Sequence, residues 1–398
     1  MKKFSKLLSI VLVIAMLATL FVGCGGSDTA NDASADSSTA ASDDASTLLI
    51  GGVGPLTGDY ANYGTSVANA AQIAVDEINA AGGVNGMTLA LDYQDSVGDP
   101  ESAVNAYGKL IDSGMDVCMG GVLSGENASI AAAAAEDEMM LLTPSASADA
   151  ALSGNSNAFR ICFTDSSQGV ASADYIADNS MATQVAVFYQ SDIDYSVGLY
   201  KAFEAQCAER GIEIVEVQTF TADTDTDFST QINAIANCGV DLVFIPIYAA
   251  EASTFLTQAS GKLDGKIFFG CDGLDGILTK VSDVAYAENV MMLTPFAADA
   301  EEENVQAFVA AYKEKYGAAP DQFAAGAYDA VYTIKAAIEH ADITSADDPD
   351  LTAKLVAAML EIEVTGVTGT MTWSEGGETT KAARAMIIHD GVATLYAA

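Results

Sequence analysis

The sequence predicts an α/β protein built as two doubly wound lobes, each a mostly parallel sheet with helices on both faces. Short apolar runs alternate with longer segments of helical spacing along most of the chain, an order that calls for parallel strands joined by crossover helices. The alternation comes in two successive series that meet near residue 160. The 398 residues, 50% of them hydrophobic, exceed one ordinary domain and suffice for two cores.

The first 46 residues stand apart. Lys2, Lys3 and Lys6 form a basic start, Leu7 to Val22 an apolar run, and Gly23 a small residue before Cys24, the layout of a secretion signal and short for a membrane span. The stretch LFVGC resembles the bacterial lipoprotein processing site, with Phe21 where Leu is usual. It implies cleavage after residue 23 and acylation of Cys24. A retained helical anchor is the other reading, and both place the folded part outside the cytoplasm. Residues 24–46 are almost all Gly, Ser, Thr, Ala, Asp and Asn, a composition that buries nothing and reads as a tether.

The globular part opens with an apolar strand, Thr47 to Val53, and a loop, GPLTGDYANYG, in which Tyr60 and Tyr63 stand out. Ser66 to Ala81 carries Val67, Ala70, Ala71, Ala74, Val75 and Ile78 at helical spacing and is closed by Gly82 and Gly83. Met87 to Tyr93 alternates like a strand, Pro100 opens a helix running through Ile111, and Asp116 to Val122 is the next strand. Ser124 then precedes an Ala-rich helix whose first amides face outward and attract anions, so its hydroxyl reads as a cap. Met139 to Leu142 is a strand ending in the loop Thr143 to Ser147. In open α/β sheets ligands collect at the carboxyl ends of strands. By themselves Ser124 and Ser147 are ordinary cap and turn residues.

The strand Ala158 to Phe163 ends the first series. The second runs through Asp165–Asn179 (helix), Gln184–Tyr189 (strand), Tyr195–Arg210 (helix), Ile212–Phe220 (strand), Phe228–Ala236, Asp241–Tyr248, Ala249–Ser260 and Lys266–Cys271. Asn289 to Pro295 reads as a strand returning to the first lobe. Helices follow at Glu301–Tyr316, Phe323–His340 and Asp348–Glu361, then a tail of strands joined by Gly turns.

Composition excludes several function classes. The net charge of −39 becomes −42 once the three lysines of the signal are removed, so nucleic acid and anionic membrane surfaces are poor direct partners. Beyond Cys24 five cysteines remain, Cys118, Cys162, Cys207, Cys238 and Cys271. Their spacing fits neither a zinc nor a redox motif, and free buried thiols are expected. His340 and His389 are the only imidazoles, and no nucleophile elbow, HExxH, P-loop or metal cluster appears, so an enzyme is a poor reading. Asp223, Asp225 and Asp227 share a polar loop and read as solvated or capping. No cofactor is called for.

GPLTGDYANYG, AVDEINAAGGVNG, DVCMGGVLSGENA, MMLLTPSAS, QSDIDYSVG, DFSTQI, FFGCDG and GTMTW, in this order and spacing, resemble the extracytoplasmic substrate-binding proteins of ATP-driven importers, in their leucine/isoleucine/valine-binding branch. The likeness runs from Leu48 to about Trp373. It implies two lobes with a ligand cleft between them and three crossover segments, near Ile161 to Asp165, Met292 to Pro295 and Val367 to Thr370. One lobe would then comprise residues 47–163 with 294–367, the other 164–293 with 368–398.

The resemblance also implies a site. Ser124, the amides after it, and Ser147 would donate to an amino acid carboxylate. The Ser145 carbonyl and the Asp272 carboxylate would accept from its ammonium, as a charge leaving water requires. Tyr63, Tyr195, Tyr248, Phe323 and Leu123 would line the pocket. Without the resemblance Asp272 is a turn or cap residue and Phe323 core packing. The implied ligand is leucine, isoleucine or valine, with an aromatic amino acid or a small amide still open. The implied partner is the membrane permease of the importer, approached by a monomer; a sensor lobe presenting its ligand to a receptor uses the same fold.

The chain departs from the family pattern twice. Gly125, Glu126 and Asn127 stand where small hydroxyl residues are usual, and Glu126 would repel a carboxylate unless turned away. A cysteine pair of the best-known relatives has no counterpart at Leu123 or near Gly98.

Overall fold

A computed structural model describes residues 46–396; the signal segment, Cys24 and almost all of the tether lie outside the described residues. The first series gives β1 (Thr47–Gly54), α1 (Ala61–Ala80), β2 (Thr88–Asp95), α2 (Pro100–Asp112), β3 (Val117–Met119), α3 (Ser124–Glu136), β4 (Leu141–Thr143) and β5 (Ala158–Arg160). They form a parallel sheet in the order β2-β1-β3-β4-β5. The second series gives α4 (Asp165–Asp178), β6 (Gln184–Gln190), α5 (Asp194–Arg210), β7 (Glu213–Phe220), α6 (Ser229–Cys238), β8 (Leu242–Phe244), α7 (Ala249–Ala259), β9 (Ile267–Gly270) and β10 (Val290–Thr294).

The chain then returns to the first lobe as α8 (Glu303–Tyr316), α9 (Gln322–His340) and α10 (Leu351–Met359), followed by the hairpin β11 (Val364–Gly366) and β12 (Gly369–Met371). It ends as β13 (Arg384–His389) and β14 (Val392–Leu395) on the second sheet, whose order is β14-β13-β10-β9-β8-β6-β7. β13 runs antiparallel to β10, and β14 antiparallel to β13.

Local chemistry explains the boundaries. Asp99 caps α2 by accepting from the Ser102 amide at 2.8 Å, with Pro100 as the first helical residue. In α1 the residues at helical spacing, Val67 to Ile78, are buried and pack against α9. Each fully buried aliphatic or aromatic side chain adds roughly 1.5–3 kcal/mol. The second core is aromatic: Phe188 stacks on Phe255 at 4.3 Å and Phe203 on Phe244 at 3.8 Å. Cys118, Cys162, Cys207, Cys238 and Cys271 are free thiols.

Two expectations need correction. Residues 61–64, expected in the loop, open α1, which places Tyr63 on a helix. The third crossing falls at 380–383, not at 367–370. The Trp373 indole must find an acceptor and takes the Arg160 carbonyl of β5 at 2.8 Å, while the Arg160 amide donates to Gly377 at 3.0 Å. Residues 368–379 therefore stay with the first lobe, and the second sheet is rejoined at Arg384.

Candidate functional site

Two loops at the carboxyl end of the first sheet are locked together. Thr143 donates through its hydroxyl to the Gly121 carbonyl at 2.8 Å, and Ser145 to that of Val122 at 2.9 Å. Asn127 accepts from the Gly121 amide and donates to Ala151, both at 2.8 Å. Behind them Arg160 is fully buried, and its Nη1 reaches the carbonyls of Ala146, Ser147 and Ala148 at 2.9–3.1 Å. Its Nε lies 2.9 Å from Glu378. α9 comes so close that a Cβ at Gly326 would stand 2.6 Å from the Pro144 carbonyl oxygen. The loop carrying Ser145 and Ser147 thus has little freedom.

α3 starts at this junction, but its capping residue is Leu123, not Ser124. Glu126 reaches back to the Leu123 amide at 3.1 Å and accepts from the Ser96 hydroxyl at 2.5 Å, the reciprocal half of a capping box. Its carboxylate is therefore engaged by these two donors. Burial still pushes it up to about 7, with both hydrogen bonds opposing. Ser124, the first helical residue, accepts from the Ala148 amide at 3.0 Å. The remaining first-turn amides have no intrahelical acceptor.

The second lobe meets these loops closed. Tyr63 donates to the Gly273 carbonyl at 2.6 Å and accepts from the Ala249 amide at 2.7 Å. Gln322 donates through Nε2 to the Asp272 carbonyl and through its amide to Asp275, both at 2.8 Å. Asp272 follows β9 and accepts from the Tyr195 hydroxyl at 2.8 Å and the Gly273 amide at 2.9 Å. Burial pushes it up to about 6, against the hydrogen bonds of Tyr195, Gln168, Gly273 and Ser147.

Near Asp272 is Asp165, the first residue of α4, which its sequence context marks only as the start of a helix. Thr164 already caps α4, accepting from Ser167 at 3.1 Å, so the Asp165 carboxylate is not needed there. It is fully buried, and among the described residues neither of its oxygens has a hydrogen-bond partner. Burial and then the Asp272 charge push it well above the ordinary carboxylate range, the nearby Ser147 hydroxyl opposing. Two buried carboxylates with one hydroxyl between them form a place for a cation that donates hydrogen bonds. Ser147, expected to donate to a ligand carboxylate, lies beside these two acids. No sequence signal separates Asp165 from a routine first-turn Asp.

The aromatic residues do not act alike. Tyr195 and Tyr248 stack at 4.4 Å and, with Leu123, Ser124, Tyr60 and Ile193, line a pocket of about 280 Å³ between the lobes. Phe323 packs on the Tyr63 ring at 4.3 Å, and both stand behind that wall, as supports.

A model of the family described as periplasmic binding protein matches residues 47–391. A Leu/Ile/Val-binding protein homologue of Brucella melitensis is 30% identical over 339 residues, 83% of this chain and 88% of its own length. The Leu/Ile/Val-binding protein BraC3 of Rhizobium johnstonii is 31% identical over 349 residues, 84% of this chain and 89% of its own. Among solved structures, the branched-chain amino acid transporter substrate-binding protein of Streptococcus pneumoniae, in complex with isoleucine, superposes with a TM-score of 0.80 at 29% identity, covering 88% of this chain and 99% of that one. A leucine-binding protein of Thermotoga maritima gives 0.78 at 27% identity, covering 88% and 98%. The two sheets, their crossings and these matches agree: the chain belongs to the periplasmic binding protein family and has the type I fold of its two parallel-sheet lobes.

Proposed function

We propose that the protein captures a free amino acid with a branched aliphatic side chain between its lobes and, once closed, delivers it to the membrane permease of an ATP-driven importer. The observation that carries this is the buried pair Asp165 and Asp272 opposite the N-terminus of α3, with an apolar and aromatic pocket beside them. The carboxylates and the Ser145 carbonyl take the ammonium. Ser124 and the first-turn amides of α3 take the carboxylate, where the helix dipole favours an anion. Leu123, Tyr195 and Tyr248 enclose the side chain. The names of the relatives support this ligand class, and no bond in the ligand is made or broken.

Ligand binding shifts an open–closed equilibrium, because Asp272 and Tyr195 sit on one lobe and Ser124 on the other. A lipid on Cys24, with residues 24–46 as tether, would keep the protein outside the cytoplasm at the membrane. Charge-assisted hydrogen bonds of roughly 1.5–3 kcal/mol each and about 1.5–3 kcal/mol for a buried leucine side chain suffice for micromolar binding after association costs. The test is a thermal-shift screen of the twenty amino acids with small amides and sugars. Leucine, isoleucine and valine should raise the melting temperature. Stabilisation by sugars or nucleosides and not by amino acids would overturn the ligand class.

A further inference from the structure

The pocket is closed on its outer side by a residue that neither the loop motifs nor the carboxylate clamp requires. Tyr60 precedes α1 on the first lobe, and its hydroxyl donates at 2.6 Å to Oε1 of Glu251, in the first turn of α7 on the second lobe. Its ring stands edge-on to Tyr248, with centroids 5.4 Å apart and planes at 68°. On its other side is Gly98, at φ +83°, where a Cβ would come within 2.8 Å of the Tyr60 ring. The ring therefore fills the gap between Gly98 and Tyr248, on the wall of the 280 Å³ pocket.

We propose that Tyr60 is the side-chain gate of this pocket and that Glu251 is its positioning residue, latching the ring in place only when the lobes close. The inference rests on the amino acid reading above and deepens it. Because the two residues ride on different lobes, opening separates them and frees the ring; closing restores the bond and fixes how far a ligand side chain can extend. A bond to a carboxylate away from bulk water is of the stronger kind, and Glu251 is only 7% exposed. Its Oε2 has no partner among the described residues, so a displaced Tyr60 would leave that buried carboxylate with less support. Burial and the charges of Asp225 and Asp59 push Glu251 up, and the Tyr60 hydrogen bond opposes them. Lys280 reaches the Asp59 carbonyl beside this group. A side chain longer than leucine has to push the ring off Glu251.

Stopped-flow and calorimetric binding of leucine, valine and phenylalanine to the full chain and its variants tests this. Tyr60→Phe should speed leucine dissociation about tenfold, the size of one such hydrogen bond, with the association rate little changed. Glu251→Gln, which keeps an acceptor oxygen, should lose less than Glu251→Ala, and Tyr60→Phe combined with Glu251→Ala should be no worse than either alone. Tyr60→Ala should raise the affinity for phenylalanine relative to valine by about tenfold or more. Additive losses, or an unchanged phenylalanine-to-valine ratio, overturn the gate while leaving the amino acid reading intact. A wild-type chain that binds no free amino acid overturns both.

Discussion

The hydroxyl of Tyr63, on α1 of the first lobe, donates to the Gly273 carbonyl of the second lobe at 2.6 Å and at the same time accepts from the Ala249 amide at 2.7 Å. One atom thus satisfies two backbone groups that closure buries. In an open protein water serves those groups, so the cost of losing the hydroxyl falls on the closed form alone. Tyr63→Phe should leave them unpaired at about 1–3 kcal/mol each. Leucine binding should weaken at least about tenfold by calorimetry, mainly through faster dissociation. An unchanged affinity would show that these bonds form equally in the open state.

Asp165 and Asp272, both on the second lobe, are buried together, and the charge of Asp272 adds to the cost of ionising Asp165. Asp165→Asn should therefore raise the melting temperature of the ligand-free protein while weakening amino acid binding, the stability–function opposition expected of a built site. Asp272→Ala should cost roughly 2–5 kcal/mol of binding energy by leaving a buried ammonium under-paired. If Asp165→Asn binds leucine like the wild type, the ammonium does not reach Asp165.

Much of the fold was legible because its signals are local and repeat: apolar strands, caps such as Asp99, and the helical spacing of Val67 to Ile78. Long-range contacts leave no such local signal. Nothing near Val367 says that Trp373 will seek the Arg160 carbonyl, so the third crossing was set about a dozen residues early. The site divides in the same way. Ser124 stands at a strand end and could be singled out there, Asp272 only through the resemblance, whereas Asp165 looks like any first-turn Asp and Glu251 like any solvated helix acid. Their surroundings come from residues far apart in the chain, Asp272 for Asp165 and Tyr60 for Glu251.

Arg160 is the cation at the centre of the first lobe's site loop, bonded to three successive carbonyls and paired with Glu378. Arg160→Met keeps the bulk and removes every donor. It should destabilise the fold by about 1–3 kcal/mol, the cost of leaving the buried Ala146 carbonyl without a donor, since Glu378 is 39% exposed and can be met by water. Arg160→Lys should recover only part of this, since one ammonium cannot match a planar fork. Chemical denaturation measures both, and a loss below about 1 kcal/mol would mean that the loop holds itself.

Glu126 is the residue most at odds with an anionic ligand end. Its engagement with Ser96 and the Leu123 amide gives a definite expectation: Glu126→Gln should change leucine affinity less than about threefold and stability by less than about 0.5 kcal/mol, since its amide oxygen accepts from the Leu123 amide and its amide nitrogen donates to Ser96, whereas Glu126→Ala should lower stability by about 1 kcal/mol. A large gain in affinity would mean that the carboxylate faces the ligand after all.

The buried acids set opposite pH trends for the empty and the occupied protein. In the closed form Asp272 is pushed from 3.8 up to about 6, and Glu126 and Asp275 from 4.5 and 3.8 up to about 7; burial is the leading cause in each, and Asp321 of the other lobe adds to Asp275. A carboxyl raised in the fold holds more protons than when unfolded. Its stabilising contribution is whole below about pH 4 and is lost as pH rises through its folded value. Ligand-free melting temperature should therefore fall between about pH 4 and pH 7 through Glu126, whose donors Ser96 and Leu123 share its lobe. A bound ammonium instead favours the ionised Asp272 and Asp165, so the added stability from leucine should grow between about pH 4 and pH 6 as affinity rises. Differential scanning calorimetry at pH 5, 6.5 and 8, with and without leucine, reads both trends. A leucine increment independent of pH would remove the carboxylates from the ligand's cationic end.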